Sequence, residues 1–289
     1  MKYLNLGCGN RYSTSPEWTN IDIVSSGENV MAYDLKKGVP FPDESFDLIY
    51  HSHVFEHIPK SQADSFIKEC IRVLRPNGIL RIVIPDLEQI VRNYIRLLDS
   101  GMNNLESDKI AADYDWIMLE MYDQVVRNKS GGEMMKFIAD EKFSNQEFVI
   151  ERCGSEIKKI ITGLNNNNKY PLINNQPKPA FLNKVLNYLG NKELRRRILL
   201  RILFKKEHGL LYKDGSPFQV GKFREEGEVH QWMYDRYSIN RIFTKNLLRN
   251  IKQQKAGESY LENWSTYNLD TQEDKTVYKP DSIYMEAIK

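Results

Sequence analysis

The stretch HSHVFEH, residues 51–57, places three of the chain's five histidines within seven residues, with Glu56 beside the last of them. Histidine titrates near neutrality and its neutral ring ligates metals, so this grouping allows three chemistries. His51 and His53 share one face of an extended strand and, completed by His57 or Glu56, make a metal-ligand set. In a second reading His53 or His57 takes the proton from an attacking hydroxyl, oriented by Glu56. In a third the histidines cap a strand and pack under a ligand, a role that suits His57 best. The remaining histidines, His208 and His230, have no Cys or His close by in sequence. That counts against a metal, and the expectation is catalysis by His53 and His57 with no metal bound.

The surrounding elements are short strands. KYLNLG (2–7), WTNIDI (18–23), VMAYDL (30–35), FDLIYHSH (46–53) and GILRIVIP (78–85) each carry an apolar run. Between the last two, Phe66, Ile67, Cys70, Ile71, Val73 and Leu74 recur at helical spacing, and Pro76-Asn77-Gly78 predicts a turn that ends the helix. Apolar strands alternating with helix or loop predict a parallel sheet covered on both faces, with ligands at the carboxyl ends of its strands. Gly7 and Gly9 follow the first strand, where glycine lets backbone approach a ligand closely. Asp22 ends the second strand, placed to accept from a ribose diol, and Asp34 follows the third, placed to accept from an adenine amino group. One nucleoside accounts for all three features.

The segments YLNLGCGN, NIDI, YDLKKGVPFPDESFDLIYHSHVFEHIP and ECIRVLRPNGILRIVIPD resemble the class I S-adenosylmethionine-dependent methyltransferases, and among them the type that acts on small molecules. The resemblance covers residues 1 to about 90. It implies a Rossmann-like α/β fold with a seven-stranded, mostly parallel sheet, and S-adenosylmethionine as cofactor. Leu6, Gly7, Cys8 and Gly9 would cradle the methionine part, Asp22 and Ile23 the ribose, and Asp34 and Leu35 the adenine, with His51 and Ser52 beside the transferred methyl. Two departures stand out. Asn5 occupies a position where the family usually has Asp or Glu, so it accepts a hydrogen bond without offering charge. The helix that usually precedes the first strand is absent.

After the helix predicted over IPDLEQIVRNYIRLLDSG, about 130 residues intervene before the resemblance resumes. MNNLESDKIAADYDWIMLEMYDQVVRNKSGGEMMKFIAD is helical in pattern, broken at Gly131-Gly132, and LNNNNKYPLINNQPKP reads as an exposed polar loop. Between 178 and 206 nine Lys/Arg face the single acid Glu193, interleaved with aliphatic residues at near-helical spacing. This predicts a helical lid with a solvated basic face, an interfacial helix on an anionic membrane, or a phosphate-binding surface. GEVHQWMYDRYSINRIFTKNLLRNI then becomes a helix with Ile239, Ile242, Phe243 and Leu247 in register, and ESYLENW and DSIYMEAIK read as the last two strands. In the family this return segment faces the substrate cleft, which implies substrate contacts for His230, Trp232 and Tyr234. The alternative is that Trp232 and Tyr234 staple the insertion to the sheet.

The 289 residues are 41% apolar and 28% charged, with a net charge of +2 that gives no global attraction to nucleic acid. Three widely spaced cysteines and no recognisable signal peptide predict a cytoplasmic protein with reduced thiols. The expected organisation is a catalytic domain from 1–100 and 228–289, interrupted by a helical cap at 101–227. The expected activity is O-methylation of a sugar or other small-molecule hydroxyl in surface-glycan assembly, the acceptor carried on lipid or nucleotide. The alternatives are methylation of RNA or another polyanion, and a non-catalytic cofactor-binding module.

Overall fold

Apolar residues on successive strands alternate between two buried faces, and this fixes the sheet. The computed structural model describes residues 1–165 and 215–289. The basic stretch 178–206 and nearly all of the polar run before it lie outside the described residues, as do the lid, membrane and phosphate readings placed there.

Seven strands, β1 (Tyr3–Leu6), β2 (Trp18–Asp22), β3 (Val30–Ala32), β4 (Phe46–Ser52), β5 (Leu74–Pro85), β6 (Arg249–Gln254) and β7 (Ser282–Ile288), form one sheet. Their order is β3-β2-β1-β4-β5-β7-β6. The β3-β2-β1-β4-β5 pairs are parallel, and β7 runs antiparallel to both its neighbours. Leu4, Leu6, Ile49, Ile82 and Met285 face helices α1 (Lys60–Val73) and α7 (Arg236–Lys245), which contribute Ile67, Cys70, Ile239 and Phe243 to that core. The residues between them, Tyr3, Leu48, Tyr50, Val83 and Tyr284, point to the opposite face. Parallel strands buried on both sides read as continuous apolar runs for this reason.

The opposite face is covered without a helix from the N-terminus. The β6–β7 connection lays Ala256, Leu261, Trp264 and Leu269 over it, and Trp18, Tyr50, Trp264 and Tyr267 make edge-on and tilted ring contacts at 5.2–6.4 Å. The ESYLENW stretch expected as a strand is therefore turns and a short 3-10 segment (Trp264–Tyr267), held down by its aromatics. The sixth strand comes earlier. Helix α7 stops at Lys245, Leu247 turns the chain at φ 60 with its side chain 85% exposed, and RNIKQQ follows as a largely exposed edge strand. Polar edge strands carry no apolar alternation, so nothing in the pattern announced it. At the other junction, α1 ends at Val73 and Leu74 already pairs with Phe46, so Pro76-Asn77-Gly78 forms an irregularity inside β5 rather than a turn before it.

The cap has its own core. Helices α2 (Leu87–Asn103), α3 (Asp108–Val126), α4 (Gly132–Ile138) and α5 (Gln146–Asn165) bury Ile90, Leu97, Trp116, Ile117, Ile138, Val149 and Ile161 together. By packing, α2 thus belongs with the cap, and the expected boundary at residue 100 moves to about 86. Helix α4 begins at the Gly131-Gly132 break, as the sequence predicts. Segment α5 is interrupted at Gly154 (φ 75), where a Cβ would collide with the carbonyl of Tyr278 and the ring of Pro280, so the cap touches the approach to β7 there. A short α6 (Pro217–Glu225) leads back to the sheet.

One buried ion cluster ties the aromatic cover to the sheet. Arg81 of β5 is fully buried and donates to Asp270 at 2.8 Å and to Glu286 of β7 at 2.7 Å, while Tyr50 donates to Asp270 at 2.6 Å. The Arg81 guanidinium also reaches the carbonyl of Glu258 at 2.9 Å and lies 4.6 Å above the Trp264 ring. Removing one member of such a cluster leaves an uncompensated buried charge. Arg81→Leu is therefore expected to lower stability by ~3–5 kcal/mol, read as a fall in the urea midpoint. A midpoint equal to that of the wild type would refute this account.

Candidate active site

The carboxyl ends of β1, β2 and β4 converge. Beyond Leu6 the chain turns through Gly7 at φ 64 and Gly9 at φ 53. A Cβ on Gly7 would collide with the Val54 side chain, whereas one on Gly9 would meet no atom within 4 Å. The first glycine is thus required by close packing, and the second leaves backbone open to a ligand. Asp22 accepts from Gly9 N at 2.7 Å, which sets its carboxylate beside the loop at the end of β2. Asp34 caps the short turn Leu35–Lys37, accepting from Lys36 N at 3.0 Å. Ile23 is exposed, while Leu35 and Ser52 are half-buried along the same edge. The Cys8 thiol, buried and close to the Asp22 charge, is pushed up to about 12 and stays a neutral thiol. An open glycine loop with a carboxylate at each of the next two strand ends fits the methionine, ribose and adenine portions of S-adenosylmethionine.

Asn5 has a different duty from the acid usual at its position. It is buried and donates through Nδ2 to the Arg11 carbonyl at 3.2 Å. Arg11 in turn donates to the carbonyl of Leu269 at 3.3 Å, also to that of Thr271, and lies 4.2 Å above the Tyr278 ring. Asn5 therefore anchors the glycine loop to the aromatic cover, a bond that a carboxylate could not donate.

The histidines separate into distinct places. His51 is fully buried, with its ring 6.0 Å from that of Phe55 and 5.4 Å from that of Phe66. It offers no surface to a cofactor, so the contact expected for it is replaced by a packing role. Strand β4 then ends as His53 adopts φ 55, a left-handed conformation uncommon outside glycine and frequent at functional sites. His53 Nε2 lies 2.9 Å from Ser282 Oγ, and its Nδ1 approaches Glu56 Oε1 to 3.1 Å. Next comes the 3-10 turn Phe55–His57. His57 Nδ1 lies 3.2 Å from the Val229 carbonyl, and its ring meets that of His230 edge-on at 4.7 Å.

Glu56 is 1% exposed. Burial pushes its carboxyl up, but contact with His53 and the nearby His230 and His57 outweigh this and hold it well below the usual range. Its backbone carbonyl accepts from Gln231 N at 2.7 Å and Trp232 N at 3.2 Å, so the returning chain is hooked onto this residue. His230 is buried, and burial first of all drives its imidazole down to about 3, so it stays neutral.

The three residues expected to contact substrate lie apart from the cleft that His53 lines. His230 stands behind the 3-10 turn. Tyr234 is 3% exposed, stacks on Phe55 at 4.7 Å and bridges to Asp86 through its backbone, which is the stapling role. Trp232 is exposed, with the Lys60 ammonium 3.6 Å above its ring, and it lines a groove between α1 and α7.

A cleft of about 290 Å³ opens between the cap and the carboxyl end of β5, with His53 among its lining residues. Its polar lining includes Gln124, Arg127, Glu156, Lys279 and Asp281. Arg127 is paired with Asp123 at 2.7 Å and Glu228 at 3.0 Å, and Lys279 with Glu156 at 3.1 Å. Burial opposes both charges of the second pair, yet Lys279 holds Glu156 below its ordinary value and Glu156 holds Lys279 above its own. The sequence carried no signal for these residues, which come from α3, α5 and the approach to β7. Ser282, whose hydroxyl meets His53, could be read only as a strand start.

Residues 15–82 match the family described as "Methyltransferase domain". The sheet order with an antiparallel seventh strand is that of the Rossmann-like class I methyltransferase fold, and the class uses S-adenosylmethionine. Residues 15–82 are thus similar to a methyltransferase domain, and the sheet has the Rossmann-like order of the class I methyltransferase fold. Among solved structures, it is 20% identical to a SAM-dependent methyltransferase from Aquifex aeolicus over 30% of this chain and 57% of that one, with TM-score 0.24. It is 17% identical to 1,6-didemethyltoxoflavin-N1-methyltransferase of Burkholderia thailandensis over 29% of this chain and 44% of that one, with TM-score 0.24. It is 11% identical to a SAM-dependent methyltransferase from Archaeoglobus fulgidus over 100% of this chain and 86% of that one, with TM-score 0.36. The chain thus spans about half the length of the first two. At these scores the assignment rests on the matched segment and the sheet order. No curated protein sequence matches the chain. Among the described residues no helix is long and apolar enough to cross a membrane.

Two outcomes test this site. Asp22→Ala removes the carboxylate expected to accept from the ribose, together with the partner of Gly9 N, and should weaken S-adenosylhomocysteine binding by at least about tenfold in calorimetry, the loss typical of a charge-assisted hydrogen bond. Binding at wild-type strength would place the cofactor elsewhere. The second concerns His51, which burial holds down to about 4 against 6.5 in the open, with Glu56 offsetting only part. The unfolded chain takes up this proton below 6.5, so stability is complete above that pH and falls by up to ~3 kcal/mol as pH drops towards 4. His51→Leu should flatten the decline in urea midpoint between pH 7 and 4.5, and an unchanged decline would show that His51 contributes nothing to it.

Proposed function

We propose that the protein transfers a methyl group from S-adenosylmethionine to a hydroxyl of a small molecule held in the cleft beside His53. The bound cofactor supplies an electrophilic methyl on a sulfonium, which already carries its own leaving group. The chain's task is then to hold the acceptor oxygen in line with that methyl, exclude water and receive the hydroxyl proton. The observation that carries this reading is the placement of His53: it lines the cleft, it follows the strand whose end adjoins the glycine loop, and its ring is fixed from two sides by Ser282 and Glu56. For His53 to act as base, the acceptor hydroxyl must take the place of the Ser282 hydroxyl at Nε2, while Glu56 keeps the opposite edge of the ring in position.

The cleft's size favours a small acceptor. About 290 Å³ lies at the lower edge of the ~300–1,000 Å³ usual for ligand pockets. That is room for a single substituted ring or the end of a longer conjugate. Its mixed polar lining suits a hydroxyl-rich ring, consistent with a sugar acceptor in surface-glycan assembly and with a reaction carried out in the cytoplasm. A polyanionic acceptor such as RNA has less support, because Arg127 and Lys279, cations lining the cleft, are both paired with carboxylates.

The test is a variant that spares the cofactor site. His53→Gln keeps a polar side chain but cannot take up a proton at neutral pH. It should reduce turnover on a hydroxyl acceptor at least tenfold, as loss of a general base does, with S-adenosylhomocysteine affinity unchanged. Wild-type turnover in this variant would remove His53 from the chemistry and leave positioning alone as the chain's contribution.

A further inference from the structure

We propose that Glu56, His57 and His230 bind one divalent transition-metal cation, with zinc the best match to the donor set. Sequence spacing argued against a metal because His230 stands 173 positions beyond His57. The fold removes that objection: the returning chain places one donor atom from each of the three side chains within 4.8 Å of the others. Metal–ligand bonds of ~2.0–2.2 Å put donors up to ~4 Å apart. Side-chain rotations that move each donor by less than about an ångström close the set around an ion.

The second observation is the state of Glu56. Both its carboxylate oxygens are buried and short of hydrogen-bond partners among the described residues, with His53 Nδ1 approaching Oε1 alone, at 3.1 Å. Native structures rarely leave a buried carboxylate this way, since a desolvated anion without hydrogen bonds or a counter-ion is costly. A bound cation supplies the missing partner. The third is the orientation of His57. A carbonyl can only accept, so the 3.2 Å contact with Val229 places the proton on Nδ1 and leaves Nε2 as the lone-pair donor. Ligating histidines are ordinarily fixed in this manner by a second bond to a backbone carbonyl.

The donor set selects the metal class. Two imidazoles and one carboxylate suit zinc, iron(II), manganese(II) or cobalt(II), whereas calcium and magnesium prefer all-oxygen sites. Three protein ligands leave a coordination position open, as in catalytic zinc sites. The site touches His53, which lines the acceptor cleft, and it ties the segment after the cap to the end of β4. A cation there would hold the cap and the catalytic domain in register, whether or not the methyl-transfer reading above is correct.

The test uses the full chain. After removal of metals with a chelator, the protein is titrated with zinc, and separately with cobalt(II) for its visible spectrum. The expected result is one equivalent of zinc per chain, a rise in melting temperature on binding, and cobalt bands of a four- or five-coordinate nitrogen–oxygen site. His230→Gln and His57→Gln should each weaken zinc binding at least tenfold, whereas Glu141→Gln, an exposed carboxylate outside the set, should leave it intact. Absence of stoichiometric zinc or cobalt binding to the wild type overturns the proposal, even if a variant misfolds. Equal loss in Glu141→Gln overturns it as well. Calorimetry with S-adenosylhomocysteine on the metal-free protein separates this site from the cofactor site, since that affinity should persist without zinc.

Discussion

Glu56 is the residue through which the two parts of the molecule are joined. Its carboxylate is buried among His53, His57 and His230, and its carbonyl receives the N–H groups of Gln231 and Trp232. The side chain thus belongs to the end of β4 while the backbone holds the chain returning from the cap. An anion this buried requires compensating positive charge or polar contact on every side, and this dictates what can lie around it. His53 can leave its strand with a left-handed backbone because Glu56 and Ser282 fix its ring from both edges. The strain of that conformation is sustained by the same contacts that aim the ring at the cleft.

A similar logic operates on the far face of the sheet. Tyr3, Leu48, Tyr50 and Val83 on that face are covered by the β6–β7 connection, which is irregular chain, and irregular chain over a core must have its backbone groups satisfied. Arg81 does much of this: it donates to the carbonyls of Lys255, Ala256 and Glu258 while neutralising Asp270 and Glu286. The cover then reaches round to the cofactor edge, where Leu269 and Thr271 accept from Arg11 and Arg11 accepts from Asn5. The Asn5 amide thus donates the bond that ties the glycine loop, through Arg11, to this cover.

How much of this was legible in the sequence depended on how local the determining interactions are. The first five strands, α1, the glycine loop and the acids at 22 and 34 were readable because each follows from apolar spacing or from a turn within a few residues. The sixth strand was not, since RNIKQQ lies at an exposed edge and carries no apolar face, while Trp264 and Leu261 imitate a strand although they serve as loop anchors. The resemblance implied a cofactor contact for His51 at the end of the fourth strand, yet the alternation of β4 sends its side chain into the core. Glu156 and Lys279 pair across more than a hundred positions, as do Arg127 with Glu228 and Glu56 with His230, and no spacing rule reaches that far.

This division has a consequence for how the site works. The parts fixed by local sequence form the glycine loop and its two acids, and the parts fixed by long-range packing line the cleft beside His53. The cleft wall comes largely from α3, α4 and α5, which pack on their own core and meet the sheet domain at points that include Gly154 against Tyr278 and Pro280, Glu156 to Lys279, and His230 N to the Gln124 carbonyl. A cap with its own core can change its inner lining without disturbing the glycine loop, so acceptor choice and cofactor binding are separable in this architecture. What cannot vary freely is the seam between them. There the carbonyl of Glu56 accepts from Gln231 N and Trp232 N, and the ring of His57 meets that of His230, so the segment returning from the cap is fastened to the turn that follows His53.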